Sequence, residues 1–197
     1  MANTQTAFGF RHIGFISGAA PDYQLNTGVI LSSNGTKIYR GDPICRDPTT
    51  GAIVQGANNT STVVGVFDGC MYTPVAGGPP TWLPYWPGSA YGPATAYFID
   101  APGALFLAAC LNTSIVTANI DENVGYAIGT GSTLNGFSGA TVDQSTLNTT
   151  NTLPFRVYAL GSQYMAAGQN GADVSTAYGY VVVTFNSQRN RQLTGLA

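Results

Sequence analysis

The amino-acid sequence predicts an all-β protein, in which a β-barrel or β-sandwich body of short antiparallel strands follows an extended N-terminal arm. Residues that favour helices are scarce, since the 197-residue chain contains one glutamate and one lysine. Few segments place apolar residues at the i, i+3, i+4, i+7 spacing of an amphipathic helix. Short apolar runs rich in β-branched and aromatic residues are instead closed by Gly, Pro and Asn, which is typical of barrels and sandwiches.

About a dozen segments fit this strand pattern, and turn residues separate each one from the next. The predicted strands are 28–31, 36–39, 52–55, 61–67, 70–72, 94–100, 104–111, 114–120, 123–128, 140–143, 154–160 and 178–186. Between the first two, Asn34-Gly35 predicts a β-hairpin, because this dipeptide favours the tight turn of a two-residue hairpin loop. The segment 162–168 also fits a short helix.

Several segments depart from the strand pattern and divide the chain into regions. Residues 1–27 are predicted to form the arm, and residues 28–188 the β-rich body. Within the body, 73–93 is an insertion rich in proline and aromatic residues. The segment 129–153 is rich in Thr, Ser and Asn, so we expect an exposed loop or hairpin. Residues 189–197 are predicted to be a C-terminal tail.

The chain carries few charges: 8% of its residues are charged and 44% are hydrophobic, with a formal net charge of −2. Soluble domains usually have about a quarter of their residues charged, so the low fraction favours a surface that faces other protein. The small net charge argues against nucleic acid and anionic membranes as partners. The sequence contains no apolar segment of the roughly 18 residues that a membrane-spanning helix needs.

The N-terminus and the cysteines both favour folding in a reducing cytosol. The first residues lack the basic region and apolar core of a secretory signal. The three cysteines, Cys45, Cys70 and Cys110, are odd in number and form no C-x-x-C pair. We expect them to be buried free thiols rather than disulfides or zinc ligands.

The sequence offers little catalytic chemistry. His12 is the one histidine of the chain, and it lies in the predicted arm, where a base held by burial is not expected. The segment "GFISGAA" departs from the G-x-S-x-G of a nucleophile elbow, and "GTGSTLNG" lacks the Gly-Lys-Ser/Thr of a phosphate-binding loop. Asp42 and Asp47 precede prolines, as turn residues often do. We therefore predict a non-enzymatic protein without a metal or another cofactor.

The segment "PPTWLPYWPGSAYGP" (79–93) holds both tryptophans of the chain and no charge. Trp82, Tyr85 and Trp86 are compatible with three roles. They could fold back as a lid over the body, since prolines lower the entropy of the unfolded chain. They could anchor contact with a neighbouring subunit, because Trp and Tyr bury large areas at low entropic cost. They could also form a platform for a sugar or a proline-rich peptide.

Three blocks together resemble small structural proteins of tailed bacteriophages. The first is "TAFGFRHIGFISGAAPDY" near the start. The second is "IYRGDPICRD" followed by "STVVGVFDGCMYTPVAGGPPTWLPYWPG". The third comprises "NVGYAI", "STLNGFSGATVD" and "TLPFRVYAL". The resemblance spans nearly the whole chain, and it is carried by the order of the blocks rather than by one motif.

The resemblance implies a virion protein of the phage head, most like a capsid decoration (cement) protein. Such a protein would be assembled in the host cytoplasm, bind the outside of the shell and lock adjacent capsomers together. Its expected partners are the major capsid protein and copies of itself in a homotrimer, without nucleic acid or membrane. The expected contact residues are Phe8, Phe10, Arg11, Phe15, Trp82, Tyr85 and Trp86. Ordinary core packing is the alternative role for each of them.

Two other functions fit the same sequence. One is a phage tail or tail-tube subunit, which would assemble into open rings or tubes. The other is a carbohydrate-binding adsorption module, which would bind a glycan through its aromatic residues. The second predicts a glycan-dependent change in tryptophan fluorescence, whereas the assembly functions do not.

Overall fold

Two antiparallel β-sheets packed face to face form the body of the chain. The computed structural model describes residues 2–6, 8–22 and 24–189. The predicted all-β class is confirmed, and in these ranges two 3-10 turns, Thr117–Asn119 and Gly161–Gln163, are the helical elements. Neither sheet closes into a barrel within the described residues, so the arrangement is sandwich-like.

The described residues contain fourteen strands. They are β1 (Arg11–Phe15), β2 (Asn26–Ile30), β3 (Ile38–Tyr39), β4 (Pro43–Arg46), β5 (Ile53–Gln55), β6 (Gly65–Tyr72), β7 (Thr81–Leu83), β8 (Tyr85–Trp86), β9 (Ala94–Ile99), β10 (Ala104–Ala109), β11 (Asn123–Ala127), β12 (Thr141–Asn148), β13 (Phe155–Leu160) and β14 (Tyr180–Phe185).

The first sheet has the strand order β1-β10-β14-β13-β11-β12, and all of its pairings are antiparallel. Side chains alternate between its two faces, as the two-residue period of a strand requires. In β14, Val181 and Val183 face the space between the sheets, whereas Val182 packs with Leu105 on the opposite face. Every residue of β14 is buried, which explains why its sequence is a continuous apolar run.

The second sheet has the order β2-β9-β6-β4-β5, with β7 also paired to β6. It is strongly curved, because its two edge strands approach each other. A Cβ atom on Gly28 of β2 would lie 2.6 Å from Cγ1 of Ile53 on β5. Glycine is therefore required at position 28, since a side chain would push the edges of the sheet apart.

Successive residues of the second sheet face two different cores. Val66 and Ile99 point toward the first sheet and join the main cluster between the sheets. Phe67 and Phe98 point into the curve of the second sheet, where the short β3–β8 pair covers them with Trp86. Complete burial of an aromatic side chain contributes about 1.5–3 kcal/mol relative to its exposure. Both faces of this sheet thus stabilise the fold.

The predicted strands agree with the structure where the apolar run is long. Residues 61–67 and 70–72 merge into the single strand β6, which continues through a β-bulge between Phe67 and Gly69. The predicted strand 114–120 is absent. Ile115 is the one buried residue of that segment and a 3-10 turn follows it.

The predicted hairpin at Asn34-Gly35 is wrong, because the strands on either side belong to different sheets. β2 pairs with β9, whereas β3 pairs with β8. The turn is held by a distant residue, since the indole N–H of Trp86 donates to the carbonyl oxygen of Asn34 at 2.9 Å. The sequence pattern also missed four short strands, β1, β4, β7 and β8.

The N-terminal segment lies along the body rather than projecting from it. β1 pairs with β10 at the edge of the first sheet. Closer to the N-terminus, the side chain of Asn3 accepts a hydrogen bond from Gly171 N–H (2.9 Å) and donates one to the Asp173 carbonyl (2.7 Å). The expected boundary after residue 27 falls inside β2. The arm lies on the body because its backbone pairs with β10 and the side chain of Asn3 hydrogen-bonds to Gly171 and Asp173.

Part of the segment 129–153 is buried, contrary to the expected exposed loop or hairpin. It contains β12, the edge strand of the first sheet, and the buried residue Ser138. The hydroxyl of Ser138 donates to the Asp42 carboxylate and accepts from the Ala140 N–H at 2.8 Å. Polarity does not prevent burial here, because both hydrogen bonds of the hydroxyl are satisfied. The tip does have the expected exposure, since Leu134 is 97% exposed.

Most of the predicted tail, residues 190–197, lies outside the described residues. Arg189 is described, and its backbone N–H donates to the carbonyl of Val63 at 3.0 Å. Within the described part of the chain, no helix has the length and apolar character needed to span a membrane.

Asp42 is a fully buried carboxylate that joins three separate parts of the sequence. Its Oδ2 accepts hydrogen bonds from the Tyr39 N–H (2.7 Å) and from Nε2 of Gln55 (2.8 Å). Its Oδ1 accepts the hydroxyl of Ser138. Hydrogen bonds to charged groups contribute about 1.5–3 kcal/mol each, and the loss of a partner leaves the buried charge unsatisfied. We call residues 39–42 the Asp42 turn.

The backbone of the Asp42 turn holds two further segments. The N–H of Phe10 donates to the carbonyl of Gly41 at 2.9 Å, which attaches the arm. The N–H of Arg40 lies 3.0 Å from the carbonyls of both Pro84 and Gly136, which attaches the proline-rich insertion and the 129–139 loop. The three irregular segments of the chain therefore meet at this turn.

We predict that the stability advantage of the wild type over an Asp42→Asn variant falls as pH rises. Burial raises the pKa of Asp42 above its ordinary value of 3.8, although its hydrogen bonds to Ser138, Tyr39 and Gln55 oppose the shift. The folded state therefore holds the proton more tightly than the unfolded state. This contribution is complete below the unfolded pKa and is lost as pH rises through the folded one. Urea unfolding of both proteins from about pH 4 to about pH 8 measures it, and an advantage that grows with pH would contradict the prediction.

All three cysteines are buried and free, and we predict that they react slowly with thiol reagents in the native protein. Burial raises the pKa of Cys70 to about 12 and that of Cys110 to about 11, and it also raises the pKa of Cys45. Because the thiolate is the nucleophile, few thiols are reactive at neutral pH. A colourimetric thiol assay should detect three thiols in denaturant and a much slower reaction without it. A fast-reacting thiol in the native protein would show that one cysteine is accessible.

Candidate functional site

Two of the expected contact residues, Phe10 and Trp86, belong to the core. Phe10 is 2% exposed and stacks on Phe155 with ring centroids 4.6 Å apart. Trp86 is completely buried, and its ring meets Tyr72 edge-on at 6.2 Å. Neither ring can contact another protein in the folded chain. The expectation for these two residues is therefore corrected to core packing, because each finds aromatic partners within its own chain.

Tyr85 and Phe15 are half-buried. Tyr85 of β8 stacks on its cross-strand partner Tyr39 with centroids 5.8 Å apart. Phe15 of β1 packs against the main core, and its ring meets the ring of His12 edge-on at 5.0 Å. Each ring is held in place by a neighbour of its own chain and keeps part of its surface accessible.

Trp82 is exposed and forms part of a continuous row across four strands. The register aligns Val29 of β2 with Thr95 of β9, Thr95 with Met71 of β6, and Met71 with Trp82 of β7. Cross-strand partners share one face of a sheet, so these four side chains are neighbours. Val29 is 51% exposed and Trp82 is 46% exposed. We call these four residues the apolar row.

The apolar row extends about 14 Å across the sheet, since adjacent strands lie about 4.8 Å apart. The row next to it contains Thr27, Tyr97 and Gly69, again in register. A Cβ atom on Gly69 would lie 2.7 Å from the Trp82 ring, so the indole packs directly on the glycine backbone. The two rows contain no charged residue, and together they form a surface of apolar, aromatic and hydroxyl groups.

A cavity of about 330 Å³ lies beside these rows, between the arm and residues of the Asp42 turn, β6 and β9. Asp68 lines the cavity, and the next residue along β6 is the Gly69 that supports Trp82. Three expected contact residues, Phe8, Phe10 and Arg11, also line it. The other lining residues are His12, Arg40, Gly41, Val66, Phe67, Ile99 and Phe137. We call this space the arm cavity.

The lining of the arm cavity contains one ion pair and a second arginine. Nε of Arg40 forms an ion pair with Oδ1 of Asp68 at 2.8 Å. Arg11 is exposed on β1, and its guanidinium has no ion-pair partner within the described part of the chain. Two arginines and one aspartate give the lining a formal charge of +1, whereas the whole chain carries −2. Within the described ranges, Arg11 is therefore the arginine of the lining that remains without an ion-pair partner.

His12 contributes an unpaired nitrogen to the same region. Its Nε2 lies 3.1 Å from the carbonyl oxygen of Gly14, and Nδ1 is buried without a partner among the described residues. Burial lowers the pKa of His12 below its ordinary value of 6.5, while the hydrogen bond to Gly14 and the carboxylates of Asp22 and Asp68 oppose the shift. At neutral pH the ring is uncharged, so Nε2–H donates to Gly14 and Nδ1 is an acceptor.

The sequence pattern missed much of this site. Val29 and Met71 were assigned to predicted strands, but no local signal indicated that the second sheet places them beside Trp82. Arg40 and Asp68 had a usable signal, since charged residues are so rare in this chain. Their pairing across 28 positions was not visible in the sequence.

Among residues 2–6, 8–22 and 24–189, no group of three His, Cys, Asp or Glu side chains could hold a metal ion. The chain was compared with protein-family models, curated proteins and solved structures, and none of the three comparisons found a match. The candidate site is thus defined by the geometry of this structure alone, and it consists of the apolar row and the arm cavity.

We predict that the two tryptophans respond oppositely to truncation. Trp86→Ala should lower the free energy of unfolding by about 3–5 kcal/mol, because it leaves a large cavity inside the second core. Trp82→Ala should lower it by less than about 1.5 kcal/mol, since the indole is half exposed and packs on one glycine. Urea unfolding followed by far-ultraviolet circular dichroism compares the two variants directly. Equal losses would contradict the division between a core tryptophan and a surface tryptophan.

Proposed function

We propose that the chain is a non-enzymatic structural protein of a tailed-bacteriophage virion, which binds the outer surface of the capsid and cements adjacent capsomers. Its partners are the major capsid protein and further copies of itself as a homotrimer. Its location is the exterior of the phage head. The observation that carries the proposal is the apolar row, which presents Val29 and Trp82 to solvent among uncharged neighbours on the second sheet.

The row has the composition of a protein-contact surface. The centres of such interfaces are poor in charge and rich in aromatic residues and methionine, as Trp82 and Met71 are here. Full burial of a large apolar side chain contributes about 1.5–3 kcal/mol, so a few anchors give modest affinity per copy. On a shell with many equivalent positions, repeated contacts of modest affinity would add up to a large gain in particle stability.

The composition and the resemblance support the same proposal. A surface with few charges is costly for a free monomer, which relies on mixed charges to stay soluble, and is suited to a protein that works among neighbours. The sequence blocks that resemble phage structural proteins include the Asp42 turn and the insertion that carries Trp82. The resemblance and the apolar row thus point to the same part of the chain.

A second candidate function is supported by the same face of the second sheet. The indole of Trp82 packs against Gly69, and the side chains of Thr27 and Thr95 lie on that face. Aromatic rings beside hydroxyl groups can bind a sugar ring, which keeps a carbohydrate-binding adsorption module as the alternative. That function requires a saturable change of Trp82 fluorescence on addition of host-surface glycans.

We predict that the protein co-sediments with expanded capsid shells that lack it, and that Trp82→Ser weakens binding roughly tenfold. Loss of one well-packed aromatic anchor costs at least about 1.4 kcal/mol, which corresponds to this factor. Analytical ultracentrifugation of shells mixed with each variant measures the bound fraction. Residues 1–17 should not be deleted in this experiment, because the deletion removes β1 and Phe10 from the folded body.

Tyr158→Ser is the matched control for this experiment. Tyr158 is an exposed aromatic residue (37%) on β13 of the first sheet, distant from the apolar row in the topology. Binding should be unchanged in this variant. If wild type and Trp82→Ser bind equally, the row is not the contact surface. If the wild type leaves shells bare but forms rings or tubes by itself, a tail protein replaces the head protein.

A further inference from the structure

We propose that the arm cavity is the receptor for a capsid-protein segment that carries an aromatic or large aliphatic side chain next to an aspartate or glutamate. The proposal rests on the proposed function and names the chemistry of its partner. It is carried by three properties of the cavity: its volume, the accessible aromatic side chains of its lining and the unpaired guanidinium of Arg11.

The volume fits a side chain rather than a large molecule. Ligand pockets usually measure about 300–1,000 Å³, and the arm cavity, at about 330 Å³, is at the lower end of that range. One aromatic or branched aliphatic side chain with its adjoining backbone is of suitable size. Phe8 and Phe137 supply accessible aromatic surface to the lining, whereas the side chains of Phe67, Val66 and Ile99 are buried in the two cores. An apolar side chain that enters this space would exchange water for carbon contacts.

The positive charge of Arg11 favours an acidic residue next to that side chain in the partner segment. Arg40 is held by Asp68 through its Nε at 2.8 Å, so its guanidinium is fixed in position. Arg11 has no ion-pair partner within the described ranges and is exposed at the mouth, where a carboxylate could reach it. Arginine binds a carboxylate through two parallel hydrogen bonds, which sets direction as well as affinity. The unpaired guanidinium of Arg11 is therefore the group that would attract an acidic segment.

The position of the cavity links it to the proposed contact surface. Asp68 at the cavity and Gly69 under Trp82 are consecutive residues of β6. A partner segment that covers the apolar row could therefore place its next side chain into the cavity. The apolar row would provide most of the buried contact area. The cavity would fix the position of the bound segment and select its side chain.

His12 gives a direct readout of occupancy, because it is the chain's one histidine and lines the cavity. Its ring resonances can be followed by nuclear magnetic resonance in the full-length, isotopically labelled protein. The probe is the peptide acetyl-Phe-Asp-amide, and the control is acetyl-Phe-Asn-amide, which has nearly the same shape without the charge. We expect a saturable shift with the Asp peptide at about millimolar concentration and an at least tenfold weaker response to the Asn peptide.

Arg11→Gln tests the carboxylate partner, since Arg11 is exposed and its replacement should preserve the fold. The variant should lose the preference for the Asp peptide, whereas the shape-dependent part of the response should persist. Arg46→Gln is the matched control, because it removes one positive charge from the β4–β5 hairpin, where Arg46 binds the carbonyl of Gly51 at 3.1 Å. This control should behave as the wild type does. Absence of a saturable His12 shift with either peptide, or equal shifts with both, would overturn the proposal.

Shell binding separates failure of this proposal from failure of the proposed function. We expect Arg11→Gln to bind expanded shells about tenfold more weakly than the wild type and Arg46→Gln to bind equally well. If all three proteins bind shells equally, the cavity proposal fails while capsid binding stands. If none binds shells but the Asp peptide shifts His12, capsid binding fails and the cavity stands as an acidic-aromatic peptide site.

Discussion

The buried carboxylate of Asp42 is the interaction on which the rest of this structure depends. A buried charged or polar group is costly unless all of its hydrogen bonds are made. The partners of Asp42 are Tyr39, Gln55 and Ser138, and the most distant of them lies 96 positions from Asp42 in the sequence. The carboxylate is therefore satisfied only when β3, β5 and the 129–139 loop have all reached their final places. All of its hydrogen bonds can form only in the correctly assembled fold, whose other stabilising contacts are mainly apolar.

The same turn also shapes the candidate site. Gly41 holds the backbone of Phe10, and Arg40 holds the backbone of Pro84 and Gly136 while its side chain pairs with Asp68. The floor of the arm cavity is thus made from the residues that fasten the irregular segments to the sheets. The Asp42 turn thus contributes both to the stability of the fold and to the lining of the candidate site. A variant that disturbs the turn is expected to affect both, whereas changes at Arg11 or Trp82 affect the surface alone.

The proline-rich insertion shows how one short segment can serve two purposes. Trp82 and Trp86 are four residues apart, but β7 belongs to the second sheet and β8 to the short sheet with β3. The chain changes sheets at Pro84, so one indole faces solvent and the other fills the second core. The lid and the contact surface that the composition suggested as alternatives thus correspond to different residues of the same insertion. Trp86 is the lid, and Trp82 is the residue available for contact.

The sequence by itself determined the all-β class, the approximate position of the longer strands and the apolar surroundings of the three cysteines. These properties depend on local composition, namely the two-residue period, the β-branched content and the turn residues of each segment. Only the tertiary structure decided which strands pair, because pairing depends on groups far apart in the chain. The strands on either side of Asn34-Gly35 pair with distant strands rather than with each other. Part of the expected arm forms an edge strand of the first sheet, and Phe10 lies in the core. The apolar row and the arm cavity also depend on the tertiary structure, since their residues become neighbours only when the strands of the second sheet pair and the arm packs beside them.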